Sequence, residues 1–121
     1  MGHLLECLAG FCAVLYASHP QRLEHFLRLR GQPVNHACGT EEARERMAIY
    51  GARIDEGFAL LTDAGLAVKI PTVFAPAGES ILTLLLGNLE HLINHKHDLF
   101  TRIKRAGVPV GTADLYRCGT G

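Results

Sequence analysis

Between Glu79 and Ala106 the residues Ile81, Leu85, Asn88, Leu92, His95, Leu99 and Ile103 recur at steps of four and three. On a helix of 3.6 residues per turn that spacing is a single face. No proline interrupts it, and Gly107 and Pro109 supply the stop. Such a helix is about 40 Å long at 1.5 Å per residue, and it cannot bury its stripe alone. Whatever the chain folds into must therefore supply other helices to cover that face.

The remainder of the chain provides them. Residues 3–17 place Leu4, Leu8, Phe11 and Leu15 on one face, beside a row of small or polar residues, His3, Cys7, Gly10 and Val14. A second, shorter helix starts at Pro20, which suits a first helical turn, and ends at Gly31, which suits a C-terminal cap. Residues 31–39 form a loop. Thr40 then offers a capping hydroxyl, with Glu41 and Glu42 at the positive end of the dipole. From there Ala43, Met47, Tyr50, Ile54, Phe58 and Leu61 carry an apolar stripe for about six turns, until Asp63-Ala64-Gly65 ends it. The stretch "LAVKIPTVFAPAG", with Pro71 and Pro76, is an extended connection lying against the helices. Val108, Val110, Leu115 and Tyr116 in the tail are placed to pack back on them. The expected architecture is all-α, a single domain over residues 2–116 with a short C-terminal tail, 117–121.

Composition removes several function classes. With 12 basic and 12 acidic residues the formal net charge is zero. Nucleic-acid binding needs a concentrated basic surface, and the small cluster Arg102, Lys104 and Arg105 is better placed to complement a helix C-terminus. The run Leu8 to Ala17 is too short for a bilayer, which takes about 20 residues, so no membrane partner is expected. Met1 leads into the first helix without a basic region or cleavage site, and no leader peptide is expected. Cys7, Cys12, Cys38 and Cys118 show no C-x-x-C spacing. They point to small core thiols in a cytoplasmic protein rather than to a redox motif. No P-loop, Rossmann glycine pattern or nucleophile elbow is present, so no nucleotide cofactor is expected. Glu6, Glu56 and Glu90 have the chemistry of acid–base groups but the spacing of solvated faces.

The histidines carry what chemistry there is. His91 and His95 lie four apart and so stand one turn above the other, able to share an ion. His97 is about 200° round from His95 and cannot join them. In a bundle the site is completed from a facing helix, and His3 is the best candidate, with Cys7 one turn further along its row. Three imidazoles and a water suit zinc, nickel or a similar divalent ion with an open position. Adding the Cys7 thiolate would close the site. Equally, an i,i+4 histidine pair is compatible with a hydrogen-bonded core residue beside an exposed one. His19, His25 and His36 have no partners at ligand spacing.

Three stretches, "GHLLECLAGF", "NLEHLINHK" and "AGVPVGTADLY", resemble the DinB-like superfamily, which includes several thiol transferases. The resemblance runs from residue 2 to about residue 116 and implies an up-and-down four-helix bundle. It also implies a divalent metal (zinc, nickel or manganese), a homodimer, and a transferase or hydrolase reaction on a small molecule or thiol. Carried over, the second-helix ligand falls on His3 and the fourth-helix Asn-His on Asn94 and His95. Where the family places its remaining histidine, this chain has Asp98 and Leu99. Either Asp98 or, from one turn earlier, His91 then completes the set. The family's first helix has no counterpart, so the expectation is an N-terminally truncated bundle whose open groove is covered by a second copy or by the helix from Pro20. The alternative expectation is a metal-free, non-catalytic module that dimerises or binds a small ligand.

Overall fold

The computed structural model describes residues 2–30 and 37–116, and at 26–30 the backbone without the side chains. His36, Cys118 and the tail 117–121 lie outside the described residues. The elements in order are α1 (Gly2–Leu15), α2 (Pro20–Arg30), α3 (Thr40–Leu60), α4 (Asp63–Leu66), β1 (Lys69–Ile70), β2 (Glu79–Ser80), α5 (Ile81–Arg105) and α6 (Thr112–Leu115). The protein is predominantly helical.

The short α1 is the hub. It packs along both α3 and α5, and each contact uses a different row of its surface. Leu5, Ala9, Cys12 and Tyr16 form one core with Cys38, Ala43 and Tyr50. Phe11 and Leu15 form another with Ile81 and Leu85. A helix apolar on more than one side belongs in the middle of a structure, and α1 has Glu6 as its sole Asp, Glu, Lys or Arg. Of the expected face, Phe11 and Leu15 are buried in the second core, while Leu4 and Leu8 are half-buried, Leu8 against the first.

On α3 the inward row is Ala43, Tyr50 and Gly57, while Met47 and Phe58, expected to be inside, are 55% and 49% exposed. Gly57 explains the choice of row. A Cβ there would stand 2.8 Å from Leu15 Cβ, so α1 and α3 approach closely only because this position has no side chain. The N-cap of α3 is Gly39 rather than Thr40, without a side-chain cap bond, although Glu41 and Glu42 do occupy the first turn.

Asp63-Ala64-Gly65 does end α3, but it forms α4, capped by the Thr62 hydroxyl accepting from the Gly65 N–H at 3.0 Å. The connection that follows includes a minimal antiparallel ladder, Lys69 opposite Ser80 and Ile70 opposite Glu79. The last long helix starts at Ile81, two residues later than expected, because Ser80 caps it by accepting from the Thr83 N–H at 3.1 Å. Gly107, with φ of 85°, takes the left-handed turn that ends α5. All seven residues of its stripe are buried or half-buried, fully so only at Ile81 and Leu85. The tail does return, through contacts of α6 with α5 and half-buried Val110 and Leu115. Val108 and Tyr116 remain 47% and 65% exposed, the latter under Lys96 Nζ at 5.7 Å.

Candidate metal centre

The register between α1 and α5 creates the site. Gly10 approaches Asn88, Cys7 meets His91 and His3 meets His95, so each step forward on α1 matches an equal step back on α5. The helices run antiparallel here, and the row of small and polar residues on α1 faces α5. Small side chains on that row let imidazoles fit in the gap.

Cys7, His91 and His95 converge, each offering one donor atom within 4.8 Å of the other two. Cys7 Sγ lies 3.3 Å from His91 Nδ1, and His91 Nε2 lies 3.0 Å from His95 Nε2. Tetrahedral zinc would separate a thiolate and two imidazole nitrogens by about 3.3–3.6 Å. Cys7 is buried, His95 half-buried and His91 exposed, so the sulfur closes the inner side and the solvent side is open. Because His91 presents a different nitrogen to each neighbour, one shared ion would take one of these and displace the hydrogen bond at the other.

The same three side chains also form a neutral relay among themselves. A protonated Cys7 donates to His91 Nδ1, His91 Nε2–H donates to His95 Nε2, and His95 keeps its own proton on Nδ1, an assignment made from the network. The electrostatics agree. Burial, then the nearby Glu6 carboxylate, pushes the Cys7 thiol up. Burial, then His91 and His3, pushes His95 down. Both shifts favour the uncharged forms that the relay requires.

His3 stands beside this group rather than in it. Its ring stacks on His95 with centroids 5.1 Å apart and planes 11° from parallel, and Nδ1 is 3.7 Å from Glu6 Oε2. Asp98 is exposed and accepts from Arg102 Nε at 2.9 Å. Of the two alternatives for the last ligand, His91 is the one that converges with His95. Cys7, expected only as an additional ligand that would close the site, occupies the place expected of His3. His3, His95, Asp98, Leu99 and Arg102 also line an open cleft of about 260 Å³ next to the relay. His97 and Glu90 are exposed, and Glu56 belongs to a separate polar cluster with Tyr16, Arg22 and Arg53.

No protein-family model, curated protein or solved structure matches this chain. Among the described residues, no helix is long and apolar enough to cross a membrane.

Proposed function

We propose that this chain is a DinB-like helical protein that holds one divalent ion on Cys7, His91 and His95 and acts on a small molecule, a thiol among the candidates, by transfer or hydrolysis. The observation that supports this most is the convergence of a buried thiol and two imidazoles from two helices at ligand separations. A thiolate with two imidazoles is a soft donor set, which favours zinc, then nickel, and disfavours manganese. Bound there with an open position, the ion would polarise a substrate or acidify a water or thiol. The chain's own residues fix the rest. His3 packs against His95 and holds its ring plane, while the cleft beside it gives a small substrate access from solvent.

One observation favours a second reading. Cys7, His91 and His95 are linked to one another by hydrogen bonds without an ion, as in a structural cluster. In that reading the protein is a metal-free dimerising module. Leu82, Leu86, Leu89 and Ile93, each 45–58% exposed, supply the apolar surface.

Elemental analysis of untagged protein purified without chelators separates the two. The metal reading predicts about one ion per chain, lost in Cys7→Ser and in His95→Ala. Metal-free wild type that also fails to take up added zinc would leave the second reading standing.

A further inference from the structure

A second polar cluster lies at the other end of α1, around Glu56 of α3. Its carboxylate accepts from three donors. Arg22 of α2 bonds Oε1, Arg53 bonds Oε2 at 2.6 Å, and the Tyr16 hydroxyl lies 3.2 Å from Oε2 and 2.8 Å from the Arg53 carbonyl. Tyr16 is 1% exposed, so the floor of the cluster is fixed by the core.

The charges do not balance. Two guanidiniums share one carboxylate, leaving one net positive charge. Each guanidinium carries five N–H donors and directs one nitrogen at Glu56. Among the described residues, Arg53 Nε is closed off from solvent and has no acceptor, a rare state for a buried donor. No acid stands in the first turn of α2, so the positive end of that helix adds to the same sign. These groups open on a cleft of about 280 Å³ lined by Tyr16, Gln21, Arg22, His25, Arg53 and Glu56. Its walls carry donor capacity well beyond the one carboxylate they hold.

We propose that this cleft binds a small oxyanion, a carboxylate or phosphate group, held between Arg22 and Arg53 with Gln21 and His25 at its rim. The planar guanidinium fork matches both anions, and a cleft of this size admits the acid group rather than a large ligand. The site is independent of the metal centre.

The proposal differs from a plain Arg–Glu–Arg clamp in what happens when Glu56 is neutralised. A clamp only loosens. A binding site loses its internal competitor, so Glu56→Gln should bind the anion more tightly. The experiment is calorimetric titration of the full chain with inorganic phosphate and, in parallel, with acetate, at matched ionic strength in chloride. Saturable binding of either anion is expected, and which of the two binds assigns the source. Arg22→Gln, at a half-exposed side chain, should weaken it by about tenfold or more. Its circular dichroism should match the wild type. If that variant does not fold, Arg22→Lys, which keeps the charge and loses the fork, takes its place and should also bind more weakly. Failure of both anions to bind, or equal affinity in the folded Arg22 variant, overturns the proposal.

Discussion

The Cys7 thiol is pushed up and the His95 imidazole down, both toward their uncharged forms, and this has consequences for pH. The unfolded chain protonates His95 near its ordinary 6.5, whereas the folded chain resists it. The unfolded state therefore binds more protons in the window below that value. Stability is fully present above about pH 6.5 and falls as the pH drops through the lower folded value. Urea midpoints of chelator-treated protein should decline from about pH 6.5 downward, and less steeply in His95→Gln. Metal uptake has the same direction for a different reason. An ion must displace the Cys7 proton, so apparent affinity should rise by about tenfold per pH unit through the neutral range. At the alkaline end Cys12 is pushed up to about 12 by burial, outweighing its backbone hydrogen bond and Arg53, and Tyr16 to about 12 by burial and Glu56. Their unfolded values are 9.0 and 10.0, so stability is lost as the pH climbs from 9 toward 12. Cys12→Ala should remove the earlier part of that loss in alkaline denaturation curves. The histidine pair was legible in the sequence because i,i+4 spacing fixes it on one helix. The third member was not, because which of His3 and Cys7 meets the pair depends on the register of two helices far apart in the chain.

At the level of the elements, the existence of the four principal helices was legible and the faces they bury were less so. The stripe on α5 was correct because that helix has one neighbour along most of its length. On α1 three rows at helical spacing coexist, since it is wedged between α3 and α5, and periodicity cannot rank them. Leu5, Ala9, Cys12 and Tyr16 form the row that meets α3, and nothing local to α1 distinguishes it from Leu4, Leu8, Phe11 and Leu15. On α3 the deciding residue is Gly57, whose missing side chain is a packing device invisible to hydrophobicity. Gly57→Ala tests this. Overpacking against Leu15 Cβ should cost about 1–3 kcal/mol, of which the helix-propensity gain of about 1 kcal/mol offsets only part. A net loss of stability in denaturant is the expected result, whereas a stabilised variant would mean that α1 and α3 separate freely.

The whole molecule is an α1-centred assembly in which α5 outruns its partner. Its outward face repeats Leu82, Leu86, Leu89 and Ile93 at steps of four, three and four, all exposed, until Lys96 ends the series. That second stripe was present in the sequence at the same spacing as the first, but one helix was assigned one face. If a second copy covers it, Leu89→Lys should convert dimer to monomer by analytical ultracentrifugation. The change at an exposed site should shift folding stability by only about 0.5 kcal/mol. An unchanged sedimentation coefficient would remove this face from the interface.

In the proposed metal centre a thiol from α1 and two imidazoles from α5 meet at one ion. Cobalt(II) titration of the metal-free protein tests it most directly, because a cobalt-bound thiolate gives a sulfur-to-metal charge-transfer band in the near ultraviolet. The band is expected at saturation, absent in Cys7→Ser, weakened in His91→Ala and His95→Ala, and retained in His3→Ala. Cobalt binding without the band, or a band that survives Cys7→Ser, would contradict it.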